Sequence, residues 1–293
     1  MSEVIYLPSP IEGEDEETYS AKVAEAVMAA VDQSAVRLKD RLIRHSRRIL
    51  TARRNEISGF QERLYWRWAQ PLDLLELCTY LAFQIGKEFN KHFRTVAAET
   101  QDYKFEALAR LQAAAVRVAD EIQTLLLAGF ASGAHARWRT LHEIAVVASF
   151  IGKESDEVAE RYLYHEFVKA FEDAQEYQKH AEALGEAPFT TEEFNKIRAD
   201  FEHVLRRFSP NFAKPYGWAI PALEARDNQL KGQAIGFKHL QNAVDIEHWT
   251  PYYRMASHAI HPSTKFTRSP LGTRHSMYLL LPGRSNVDLV EAG

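Results

Sequence analysis

The stretch YYRMASHAIHPS, residues 252–263, brings Arg254, Ser257, His258 and His261 into eight positions. A guanidinium stabilises charge on a phosphate, and an imidazole moves protons near neutral pH. Together they suit metal-free attack of a ribose 2′-hydroxyl on its neighbouring phosphate, with His261 as base or acid and Arg254 on the phosphate. Nucleophilic hydrolysis is a poorer match: Ser257 and His261 are four apart, but no Gly-x-Ser-x-Gly turn or clear oxyanion loop accompanies them. Two further stretches carry the same residue types. RWRTLHE sets Arg139 and Glu143 one helical turn apart with His142 between them, and RYLYHEF does the same with Arg161 and His165.

Metal chemistry is not expected. A carboxylate-bridged helical site needs Glu-x-x-His on two helices, and here no His has a Glu three residues before it. His-Glu-x-x-His and Walker-type glycine loops are missing as well. No cofactor is called for. The Arg254/His261 spacing is weakly similar to that of HEPN-type helical ribonucleases. That family separates its Arg and His by four to six residues, and Arg137/His142, Arg198/His203 and Arg268/His275 also fall in the range, so spacing alone does not choose among them.

The elements that must position these groups read as helices. Thr250 suits an N-cap and Pro251 the first turn, while Pro262 should end the helix, giving about three turns. On that helix Tyr252, Tyr253, Met255, Ala256, Ala259 and Ile260 fill one broad side, and the polar four share the other. That polar arc contains neither Lys nor Glu, unlike an ordinary solvated face. Apolar periodicity predicts helices over 103–128, stopped by Gly129, and over 132–152. The run IAVVASFI should be buried on all sides. Ser155 with Asp156 and Glu157 should cap a helix reaching Leu184, and Thr190 with Glu193 forms a capping box for the next. Pro71 should break or kink the helix of YWRWAQPLDLLELCTYLAF.

Nothing alternates with period two over enough residues for a sheet. The expected fold is all-α: a bundle of long antiparallel helices with an extended N-terminal helical arm and an irregular C-terminal tail. The segments are a flexible acidic lead-in over 1–17, a basic helical arm over 18–60, the bundle over 61–262 and the tail over 263–293.

The arm is where charge concentrates. Between Arg37 and Arg54 it carries Arg41, Arg44, Arg47 and Arg48 among eight bases, against one acid, Asp40. That is the cluster a phosphate backbone requires, so RNA is the partner it points to, although few aromatics are present for base stacking. Its apolar stripe of Ala24, Val27, Val31, Leu38, Leu42 and Ile49 suits a second copy or another protein. The net charge of −4 over 293 residues names no partner. The single cysteine, Cys78, excludes an intrachain disulfide. No secretory signal and no apolar run of membrane-spanning length is visible, so a cytoplasmic protein is expected.

Several stretches together resemble a bacterial family catalogued as a domain of unknown function: RWAQPLDLLELCTYLAFQIGKEF, EIQTLLLAGFASGAHARWRTLHEIAVVASFI, ERYLYHEFVKAFEDAQEY, YGWAI and YYRMASHAIHPS. The resemblance spans roughly residues 60–285, with RWRTLHE and Tyr-x-x-x-Ser-x-x-x-His as its more specific parts. It implies an all-helical cytoplasmic protein, a further helix after the GRSN region, and no established activity. Its recurrent polar positions correspond to Arg137, Arg139, Glu143, Arg161, Tyr162, His165, Trp218, Tyr253, Ser257 and His261. Arg139, Glu143, Arg161, His165, Ser257 and His261 are therefore expected to converge between helices. Two functions follow: a defence or toxin-like effector that binds or cleaves RNA without metal, or a non-catalytic interaction protein whose buried polar network specifies helix packing.

Overall fold

A computed structural model describes residues 8, 9, 15–260, 272–274, 279–281, 283–286 and 289. The chain divides into two compact units, Met1–Arg63 and Leu64–Gly293. It is all-α, apart from two three-residue strands, β1 (Gly272–Arg274) and β2 (Leu279–Leu281), paired antiparallel.

Helix α1 spans Glu16–Thr100. Asp15 starts it: one carboxylate oxygen accepts from the Thr18 backbone N–H at 2.8 Å, the other from the Thr18 hydroxyl at 2.7 Å. In the first unit α1 is the only helix among the described residues, and Val31, Leu38, Leu42 and Ile49 of its apolar stripe stay exposed.

The second unit begins near a kink. Pro71 does not end the helix; the backbone instead leaves helical geometry at Trp68, with φ −120° and ψ 21°. Proline has no N–H for the Arg67 carbonyl, and its ring pushes against that carbonyl, so distortion belongs on the N-terminal side. Beside the kink lies an apolar cavity of about 230 Å³ among Leu64, Trp68, Pro71, Leu72 and Leu126.

Gln101 at φ 54° turns the chain after α1, and the Asp102 carboxylate caps α2 (Tyr103–Leu127) by accepting from Phe105 N–H at 2.8 Å. Gly129 at φ 77° closes α2, where a side chain would be strained. The chain then reverses into α3 (Ala131–Lys153), which packs along α2. The second half of α3 is not buried all round. Val146, Phe150 and Ile151 are in the core, whereas Ala145 and Ser149 face water. Small residues on that side bury too little apolar area to demand cover.

The helix expected from Ser155 to Leu184 is two: α4 (Asp156–Tyr164) and α5 (Glu166–Leu184), separated at His165. Ser155 holds the N-cap position without a side-chain bond. Asp156 instead accepts from the Lys104 N–H at 2.9 Å and so serves the N-terminus of α2. Helix α6 (Thr191–Phe208) has the capping box of Thr190 and Glu193 and lies on α5 through stacked Phe171 and Phe201. Short α7 (Ile220–Arg226) and α8 (Phe237–Ala243) lead to α9 (Thr250–His258). Trp249, not Thr250, is the N-cap of α9, and the helix ends at His258, earlier than Pro262 requires. Tyr252 and Ile260, expected on its apolar side, are exposed.

Candidate functional site

Helices α3 and α9 meet over a carboxylate. Arg139 Nε donates to Glu143 Oε1 at 3.0 Å within α3, and the Tyr253 hydroxyl of α9 donates to the same oxygen at 2.6 Å. The Arg139 guanidinium also lies 4.7 Å from the centre of the Tyr253 ring. One turn of α3 therefore presents an ion pair, and α9 closes it with an aromatic ring carrying a polar tip. Burial disfavours the Tyr253 phenolate, and the Glu143 carboxylate adds to this, so its pKa is pushed up to about 12. Burial opposes the charge of Arg139, but the bond to Glu143 outweighs it and raises its pKa.

His142 occupies an aromatic box at the same junction. Its ring is parallel to Trp138 at 5.3 Å, with Phe237 at 6.0 Å and Tyr253 at 5.7 Å. Only 7% of the residue is exposed, and its Nε2 is buried without a hydrogen-bond partner. Burial lowers its pKa, with Glu143 pulling the other way. Trp249 packs on Trp138, and the buried Gln241 donates to the Ile246 carbonyl and the Thr250 hydroxyl, fixing the entry to α9.

Arg161 and His165 serve a different task. Arg161, 5% exposed, donates from Nε to the Trp218 carbonyl at 3.1 Å and from Nη2 to the Gly217 carbonyl at 3.0 Å. Its guanidinium rests 5.0 and 5.2 Å from the rings of Phe208 and Phe212. His165 Nε2 lies 3.3 Å from the Lys214 carbonyl and donates to it in the Nε2–H tautomer. Burial lowers the pKa of both. Together they hold the turn 214–218, where Tyr216 has φ 56° and a Cβ on Gly217 would lie 2.2 Å from the Phe212 carbonyl oxygen. The turn sends Trp218 into the core against Phe150 and Tyr162. Burial, and then the Glu143 charge, raise the pKa of Tyr216.

The remaining residues singled out from sequence lie as follows. Ser257 donates its hydroxyl to the Tyr253 carbonyl at 2.8 Å, a bond within its own helix. Arg254 is exposed and His258 half-buried on α9. His261 lies outside the described residues, as do Arg268 and His275. Arg41, Arg44, Arg47 and Arg48 are exposed on α1. Among the described residues no three His, Cys, Asp or Glu side chains group to hold a metal ion.

Sequence reasoning missed the aromatic box and the turn at Tyr216. The spacing of Trp138 and His142, four residues apart, was a signal for the box. The carbonyls that receive Arg161 left none, because every residue offers one.

Residues 105–273, which contain the α3–α9 junction, the Arg161 turn and the helices between them, match the model of a family of unknown function, DUF5677. The chain belongs to this family. The DUF5677 match covers more than half of the 293 residues and begins inside α2, so the whole of α1 precedes it. No curated protein and no solved structure matches the chain. No helix among the described residues is long and apolar enough to cross a membrane.

Proposed function

We propose that this chain is a cytoplasmic RNA-binding protein, acting as an effector or accessory in a defence or toxin-like system. Arg41, Arg44, Arg47 and Arg48 make its phosphate contacts. One observation carries the reading. Arg37, Arg41, Arg44 and Arg48 fall at i, i+4, i+7 and i+11 of a continuous helix and are all exposed. That spacing puts them in one row, with steps of roughly 4.5–6 Å along the axis. A row of guanidiniums tracks a phosphate backbone without reading its sequence. The polar network of the second unit supports binding over cleavage, since Arg161, His165 and Ser257 all direct their bonds to backbone carbonyls. The test is binding of labelled single-stranded and duplex RNA across a salt series. Replacing Arg41, Arg44, Arg47 and Arg48 by Gln should weaken binding and flatten the salt dependence by about 0.7 log units per lost phosphate contact. Equal affinity and equal slope in the two proteins would refute the reading.

Cleavage is the second reading, favoured by the exposed Arg254 one turn before His258, on the helix that leads to His261. His261→Ala and Arg254→Ala should then stop RNA degradation in vitro and relieve any growth defect in a bacterial host. A non-catalytic scaffold would leave both readouts unmoved by either substitution.

A further inference from the structure

Between Leu74 and Val96, α1 carries a second apolar stripe that stays largely exposed, although Phe89 stacks on Phe105 of α2. Leu74, Leu77, Leu81, Ile85, Phe89, Phe93 and Val96 are 60%, 52%, 48%, 69%, 53%, 42% and 58% exposed. They are spaced 3, 4, 4, 4, 4 and 3 residues apart. Leu74, Ile85 and Val96 thus recur every eleven residues, the repeat that keeps a seam on one side of a helix and favours a slight right-handed supercoil. The adjoining flank is already occupied: Gln112 of α2 donates to the Ala82 carbonyl at 2.8 Å and abuts Gly86.

We infer that this stripe is the interface of a homodimer in which the two copies of residues 74–96 pack antiparallel about a two-fold axis at Ile85. The spacing reads the same in both directions from Ile85. An antiparallel copy therefore sets Leu74 opposite Val96, Leu77 opposite Phe93, Leu81 opposite Phe89 and Ile85 opposite itself. A two-fold interface requires such a self-complementary surface. Charge selects the direction. In this register no charged residue from Asp73 to Glu99 meets its like, and Glu76 is level with Arg94. A parallel in-register pair would set Lys87, Glu88 and Lys91 each against its own copy. The area is also sufficient: the exposed parts of the seven side chains come to roughly 700 Å², close to the ~800 Å² that each partner of a standard interface buries. The stripe lies outside the matched family region and is separate from the arginines proposed to bind RNA, so its test is independent of that reading.

The experiment is light scattering of the full chain after size exclusion at micromolar concentration. The expected mass is twice 33.6 kDa, falling to that of a monomer for Ile85→Glu, with the helical circular dichroism of the wild type. Ile85→Cys in a Cys78→Ser background should form a disulfide-linked dimer on mild oxidation. Leu74→Cys alone should not, and an equal mixture of Leu74→Cys and Val96→Cys chains should. Should Ile85→Glu fail to fold, the cross-links decide. A wild-type monomer, a dimer indifferent to Ile85→Glu, or a Leu74→Cys chain that links as readily as Ile85→Cys would each overturn the inference. So would a monomer that uses the stripe to bind anionic vesicles.

Discussion

Tyr253 donates its hydroxyl to Glu143 Oε1 at 2.6 Å, across 110 residues of chain. The same oxygen accepts from Arg139, so α9 docks on an ion pair that α3 has already formed. A helix as short as α9 has little stability of its own and takes most of it from such packing. Tyr253 also walls the box around His142, and the hydroxyl and the ring contribute separately.

Tyr253→Phe keeps the ring and removes the bond. It should cost about 1 kcal/mol, because Glu143 is partly exposed and water replaces some of the loss. Glu143→Gln should cost a similar amount, and the double variant less than the sum. Urea titrations of the four proteins check this; additive costs would show that the bond contributes nothing.

Arg161 holds two carbonyls of a turn that already contains a left-handed tyrosine. Arg161→Lys keeps the charge but offers no planar fork and stacks less well on Phe208 and Phe212. It should lower stability by about 2 kcal/mol, and Arg161→Ala by about 3 or more, since buried acceptors are left unpaired. Trp218 fluorescence should report a loosened turn in both. A loss under about 0.5 kcal/mol for Arg161→Ala would sink this account.

Stability should fall with mild acid. Burial holds the imidazoles of His142 and His165 below their ordinary pKa, while in the unfolded chain both return to about 6.5. Below that pH the unfolded chain takes up protons that the folded chain resists, so the folded state loses ground until its own lower pKa values are passed. The carboxylates held low in the fold, Glu106 and Glu193, act in a more acidic window. The urea midpoint should be level above about pH 7 and decline between about pH 6.5 and pH 5. His142→Phe with His165→Phe should flatten that decline, and a midpoint unchanged over the range in the parent would contradict the burial of both rings.

Much of the architecture was legible because it is local. A capping box needs only Thr190 and Glu193, three residues apart, and both bonds form. Gly129 ends α2 because only glycine takes φ 77° without strain. The periodicity of Leu111, Val118, Ile122 and Leu126 put the buried face of α2 where the core lies. Arg139 and Glu143 pair for the same reason: one helical turn separates them.

Partners distant in sequence were decided only by the tertiary structure. The chain breaks at His165, whose ring reaches the Lys214 carbonyl, and no nearby residue announces either. Arg161 is expected from sequence to join a polar cluster between helices, and becomes a brace for the 214–218 turn because folding presents it with two carbonyls and two aromatic rings. Sequence by itself determined the all-α class, most of the helical segments, the basic row of α1 and the residue types that cluster. Which of those groups share a bond was settled by packing, because burial leaves a polar atom only the partners that distant segments bring to it.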